Sequence, residues 1–185
     1  MKLHERIEGR LREFIEAQHV FFVATAPLAA DGHVNLSPKG LDGTFVVLDE
    51  HTVAYLDLTG SGAETVAHLR ENGRITLMFC AFEGPPNIVR LHGSGRFLAL
   101  TDPEFASYRD LFAGHPGTRG VVVVDVERVS ASCGYAVPLM RHDADRDLLT
   151  QWADNRGEEG LTAYRTTKNA VSIDGLPALD ALDQA

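Results

Sequence analysis

Thr44-Phe45-Val46-Val47-Leu48-Asp49-Glu50-His51-Thr52-Val53-Ala54-Tyr55-Leu56-Asp57-Leu58 is the stretch on which the reading of the fold turns. Two runs rich in β-branched and aromatic residues, Thr44 to Leu48 and Thr52 to Leu58, flank a polar turn at Asp49-Glu50, the pattern of an antiparallel hairpin. Upstream, Val20-Phe21-Phe22-Val23-Ala24-Thr25 is a similar run, broken by Pro27 and Asp31-Gly32, and a further strand is expected from about His33 to Ser37. Downstream, Arg74 to Phe82 and Asn87 to Leu100 form two long β segments separated by Glu83-Gly84-Pro85-Pro86. Hairpin-connected strands at a spacing of roughly ten residues favour an antiparallel barrel or sandwich over a parallel sheet with crossover helices. The run Val121-Val122-Val123-Val124-Asp125-Val126 predicts one more strand, covered on both faces.

Helical signals surround this β core. Leu3, Ile7, Leu11, Phe14 and Ile15 fall at helical spacing and predict an amphipathic N-terminal helix. A second helix is expected to begin at Ser61 and to stop at Asn72-Gly73, a favourable C-terminal pair. Asp102-Pro103-Glu104 opens a third, with Asp102 as cap and Pro103 in the first turn. Further helical patterns lie around Asp145 to Ala153 and Glu158 to Tyr164, and Ser172 to Ala185 reads as an extended tail carrying Gly175 and Pro177.

Composition excludes several function classes. With 44% hydrophobic residues in 185, the chain has enough apolar material for a sizeable core, and it shows neither repeats nor a low-complexity linker. A net charge of -9 argues against nucleic acid, because backbone binding needs a surplus of Lys and Arg. No run of about 18 apolar residues and no signal-like N-terminus is present, so no membrane contact and a cytoplasmic location are expected. Cys80 and Cys133 have no paired spacing and read as reduced thiols in packing roles. The eight histidines are scattered, and no metal site is expected. Dinucleotide, P-loop, zinc-protease and nucleophile-elbow motifs are absent.

Chemistry points to Leu56-Asp57-Leu58-Thr59-Gly60-Ser61-Gly62-Ala63-Glu64-Thr65, a strand end running through a Gly/Ser loop into a helix start. Such a junction aims free backbone amides and the positive end of the helix dipole at one point, which suits a phosphate. Thr59, Ser61 and Thr65 offer hydroxyls. Ser61 and Glu64 also have the spacing of a capping box, which would satisfy the same amides without a ligand. Because Glu64 is acidic, a dianion there needs a nearby cation, and Lys39 or Arg74 would supply it; a solvated loop lysine is the other reading of Lys39. His68 reads as part of a polar helix face.

Three ordered blocks carry a resemblance: Val34-Asn35-Leu36-Ser37-Pro38-Lys39-Gly40, the strand-loop-helix from Ala54 to Gly73 continuing into Arg74-Ile75-Thr76-Leu77-Met78-Phe79, and Ile88-Val89-Arg90-Leu91-His92-Gly93-Ser94-Gly95-Arg96. Over roughly residues 5 to 135 the chain resembles the pyridoxamine 5'-phosphate oxidase-like FMN-binding split barrels. The resemblance implies an α+β fold built on a six-stranded antiparallel Greek-key split β-barrel, a homodimer, and FMN in the groove between subunits. Residues 1–140 would form the barrel with its N-terminal helix, and 141–185 a helical extension and tail of the same domain.

Carried onto this sequence, the resemblance places Ser37, Lys39, Thr59, Ser61 and Thr65 around the phosphate and ribityl chain. It places Tyr55, Leu56 and Asp57 near the ring, and the reading of the loop adds Arg74 as a further candidate cation. Glu64-Thr65 stand where the oxidase itself has Arg-Lys, Val34 stands where it has an arginine, and its C-terminal motif is missing. The implied activity is an FMN-dependent oxidoreductase acting on an unidentified small molecule, in a branch distinct from the oxidase itself. The alternative is a flavin-, deazaflavin- or haem-binding protein for storage or sensing. No catalytic acid or base is identifiable, and Cys133-Gly134-Tyr135 and Trp152 are expected on the substrate side, with packing the alternative role for Trp152.

Overall fold

The computed structural model describes residues 1–181 and 183. In chain order the elements are β1 (Lys2–His4), α1 (Gly9–Glu16), β2 (Val20–Thr25), β3 (Asn35–Gly40), β4 (Phe45–Val47), β5 (Thr52–Leu58), α2 (Glu64–Asn72), β6 (Arg74–Cys80), β7 (Ile88–Ala99), α3 (Phe105–Arg109), β8 (Thr118–Ser132) and α4 (Leu148–Lys168). Seven strands pair in the order β3-β2-β6-β7-β8-β5-β4, and β1 adds to β8. Every pairing is antiparallel. The sheet curls into a half-barrel flanked by the four helices, the α+β split-barrel architecture.

Among the described residues, eight strands stand where six were expected. One difference is β1: Leu3 lies in that strand and is exposed, and the first helix begins only at Gly9. Lys2–His4 instead completes the hydrogen bonding of β8 at Ser130 and Ala131. β3 runs later than expected, because Pro38 is tolerated on an edge strand, so Lys39 lies within the strand opposite Phe21. β5 covers the expected Thr52 to Leu58.

Alternation along the strands divides the core. Inside the curl, Phe21, Val23, Tyr55, Leu77, Phe79, Leu91, Val122 and Val124 are buried. On the other face, Ala54, Leu56, Val121 and Val123 pack against Phe105 and Phe112. β8 is thus covered on both sides, as its unbroken valine run requires, and each of these large side chains contributes about 1.5–3 kcal/mol by leaving water. Bulges interrupt the ladder at Asp57/Leu58 and at His92/Gly93.

Val66 and Ala67 of α2 pack on Ala178 and Leu179 of the tail. Gly73, at φ 71, closes α2 in the left-handed conformation and accepts the turn into β6. The two helical patterns near the C-terminus form one element with a break at Gly157 (φ 64, ψ 175). Across that break Trp152 and Tyr164 meet edge to face at 5.1 Å, with the Arg156 guanidinium 4.7 Å over the indole. Cys80 is buried, in keeping with a packing role, whereas Cys133 is exposed, because it follows the end of β8.

Candidate functional site

A groove of about 530 Å³ opens where the β3 edge meets the start of α2. Asn35, Ser37 and Lys39 form one wall, and Gly60, Ser61, Gly62, Glu64 and Thr65 the other; Arg119 lies at its base and His33 and Ile173 at one end. Five of the ten expected site residues, Ser37, Lys39, Ser61, Glu64 and Thr65, therefore converge.

The α2 start is open. Ala63 is its N-cap with no side-chain capping bond, so Ser61 and Glu64 do not form the expected capping box; the helix starts two residues too late for that pairing. Ala67 is the first residue of the helix whose amide bonds back, to Ala63. The amides before it face no intrahelical acceptor, which leaves partial positive charge at the groove. The Glu64 carboxylate folds back over Gly62.

Below the groove lies a largely buried ionic cluster that the sequence reading did not assemble. Asp57, fully buried, accepts hydrogen bonds from Arg119 Nε and Nη2, and Lys39 Nζ stands 3.7 Å from its other contact atom, Oδ1. Burial alone would raise the Asp57 pKa, but Arg119 and then Lys39 outweigh it and hold the carboxyl below its usual 3.8. Arg119 Nη1 also donates to Gly62 O at 2.9 Å and to Asn169 Oδ1 at 2.9 Å. Thr59 is equally buried, and its hydroxyl accepts from Arg165 Nε at 2.9 Å. Arg165, 1% exposed, donates as well to Thr118 O at 2.9 Å. Thus Asp57 and Thr59 support the groove from beneath.

Three expected residues lie elsewhere. Tyr55 and Leu56 belong to opposite faces of β5, both covered, so neither side chain reaches the groove. Arg74 is held by Asn72 Oδ1 and Pro27 O at the far end of α2, and it lines no part of the groove. Behind the wall, Asn35 Nδ2 donates to Thr65 Oγ1 at 3.0 Å and to Thr25 Oγ1 at 3.1 Å. Thr25 Oγ1 in turn lies 2.9 Å from Nδ1 of His68. His68 is fully buried instead of forming a polar face, and burial depresses its pKa from 6.5.

A second hollow, about 930 Å³, adjoins the first and shares Lys39 with it. Val20, Phe22, Pro38, Phe82 and Met140 make much of its apolar lining. A strap over residues 140–146 closes one side: Met140 N donates to Phe82 O, His142 N to Glu83 Oε1 at 3.0 Å, and Asp42 N to Asp145 Oδ2 at 2.7 Å. His142 stacks on His19 at 3.8 Å. Neither Trp152 nor Cys133-Gly134-Tyr135 lines either hollow. Among the described residues, no helix is long and apolar enough to cross a membrane.

The half-barrel with a helix-start groove at its sheet edge defines a split-barrel protein. The profile of the family described as Pyridoxamine 5'-phosphate oxidase matches residues 7–133. A curated relative, the pyridoxamine 5'-phosphate oxidase family protein ustO of Aspergillus flavus, is 41% identical over 95% of this chain and 77% of its own length. The chain belongs to the pyridoxamine 5'-phosphate oxidase family. Among solved structures, HupZ of Group A Streptococcus is similar at a TM-score of 0.51 with 20% identity, covering 71% of this chain and 97% of that one. A putative 5-nitroimidazole antibiotic resistance protein of Bacteroides thetaiotaomicron is similar at a TM-score of 0.50 with 14% identity, covering 71% and 88%.

Proposed function

We propose that the protein is an FMN-dependent oxidoreductase that acts on a small molecule. The reading rests on the meeting, in one groove, of an uncapped helix start, the hydroxyls of Ser37, Ser61 and Thr65, and Lys39 above a buried arginine. These donors suit the chemistry of a phosphate with a polyol chain attached. Glu64, in the groove wall and half-buried, opposes the anion, whereas Arg119 and Arg165 are buried cations. When bound, the flavin would supply the electron transfer; Lys39 and the loop amides would orient it, and the adjoining apolar hollow would exclude water from the substrate.

A homodimer belongs to the same proposal. β3 is a sheet edge, and beside the groove Val34, Leu36 and Ile173 are 73%, 65% and 71% exposed, a rim that a second copy of the chain would cover.

Titrating FMN into the stripped protein, with absorbance and mass of whatever co-purifies, tests the assignment. Replacing Lys39 with Ala is expected to weaken FMN binding by about 10-fold, the scale of one lost charge-assisted hydrogen bond, with the fold intact. A colourless preparation that ignores added FMN refutes the flavin reading. Reduction of the holoprotein by a reduced nicotinamide donor, followed by reoxidation, separates turnover from storage.

A further inference from the structure

We propose that Asn169, just beyond α4, is a positioning residue that gives the groove its preference for a phosphorylated ligand without touching that ligand. The inference rests on the reading of the groove as a flavin phosphate site.

Asn169 is fully buried. Its Oδ1 accepts from Arg119 Nη1 at 2.9 Å, and its Nδ2 donates to Gly60 O at 3.0 Å. The amide orientation follows from the chemistry of the partners, because a guanidinium only donates and a carbonyl only accepts. Arg119 Nη1 fixes a second carbonyl, that of Gly62, at 2.9 Å. The backbone of Asn169 is itself anchored, its N–H to Arg165 O at 2.8 Å and its C=O to Leu179 N at 3.0 Å.

The consequence lies in peptide geometry. No cis bond occurs in the chain among the described residues, and in a trans peptide C=O and N–H point in opposite directions. With the Gly60 carbonyl turned toward Asn169, the amide proton of Ser61, a residue of the groove wall, is directed away from that buried group. The Ser61 amide has no backbone acceptor among the described residues. Gly60-Ser61-Gly62 has little intrinsic preference for this orientation, since glycine populates many backbone conformations. The preference is imposed from below by a residue 109 positions distant from Gly60. Arg165, by holding Thr59 Oγ1 and Thr118 O, fixes the strand ends from which the loop departs.

The discriminating probe is a pair of ligands that differ only by the phosphate. FMN and riboflavin are titrated into the wild-type protein and the Asn169→Ala variant. The expected result is a fall of about 10-fold in FMN affinity with riboflavin affinity unchanged, because the proposal assigns the oriented loop amide to the phosphate. Equal losses for both ligands, or no loss for either, overturn the proposal; the first would mean that Asn169 only supports the fold. Should the wild-type protein bind neither flavin, the flavin reading fails by itself, and inorganic phosphate replaces the pair. A phosphate-dependent rise in melting temperature that disappears in Asn169→Ala then supports the positioning role, and a rise that persists, or none in the wild type, overturns it.

Discussion

Replacing Asp57 with Asn tests whether the ionic cluster beneath the groove holds the fold. Asp57 has no exposed surface, Arg119 is 4% exposed, and Lys39 closes the third side. An asparagine keeps the shape but removes the charge, and its NH2 group faces guanidinium donors. Arg119 is then left as a buried cation without its counter-ion, a loss of about 3–5 kcal/mol. For a chain of this size that is a fall of about 6–20 °C in melting temperature, at 2–4 °C per kcal/mol. Thermal or urea unfolding measures it, and a cycle with Arg119→Met isolates the coupling: the double variant should lose clearly less than the sum of the singles, because the uncompensated charge is gone. Acid unfolding adds a second readout. The Asp57 carboxyl is held below its usual 3.8, so its contribution is complete above that value and is lost as pH falls through the depressed folded value. Asp57→Asn should therefore flatten the acid limb. A melting temperature within about 2 °C of wild type, or an additive cycle, would refute the reasoning.

Other perturbations test the frame around the cluster. A methyl group at Gly93, inside the β7–β8 bulge, would overlap the carbonyl oxygen of Asp125, and backbone cannot swing aside as a side chain can. Gly93→Ala should cost about 1–3 kcal/mol or more, read by urea unfolding, and a neutral result would mean that the strands separate there. The hydroxyl of Tyr55 is buried without a hydrogen-bond partner among the described residues. Tyr55→Phe is accordingly expected to raise stability by about 1 kcal/mol, and a comparable loss in calorimetry would reveal a partner. Burial holds His68 below 6.5, so the unfolded chain takes up the proton first and stability falls as pH drops through about 6.5 toward the folded value. His68→Gln should reduce that slope between about pH 5 and 7, and an unchanged slope would assign it to His92 and His115, which burial also depresses.

The strands were legible because their signal is local. β5 is a run of β-branched and apolar residues after a polar turn, and Gly73 sits where a helix needs a positive φ. What escaped is what chain separation hides. Arg119 reaches Asp57 across 62 positions and Arg165 reaches Thr59 across 106, and no periodicity connects them. One sequence signal was available: Arg119 precedes by two residues a valine run covered on both faces, so its charge had to find a buried partner. Tyr55 and Leu56 do not turn their side chains into the groove for a related reason. A strand covered on both sides offers neither alternating set of side chains to a surface groove, and the composition of β5 does not state that both sides are covered. The capping box failed on register: a shift of two residues separates Ser61 from the helix it was to cap.

The same cluster explains how an acidic residue is tolerated at the start of α2. Glu64-Thr65 occupies the place where the oxidase that this family is named for has two basic residues, so a phosphate would lack its usual counter-charges from the first helical turn. Here the positive charge comes from below, through Arg119 on β8 and Arg165 on α4, with Lys39 on β3 beside it. Of the carboxylates near them, Asp57 is equally buried, whereas Glu158 is 74% exposed and screened by water. With the half-buried Glu64 also in the groove wall, three cations stand against two carboxylates, and the low exposure of the two arginines preserves the remaining positive field better than surface arginines would. Because two of the three are arginines locked by carbonyl and hydroxyl partners, this charge arrives with a fixed direction, and under the proposed flavin reading the C-terminal helix, which lies beyond the matched residues 7–133, would support the binding site from behind.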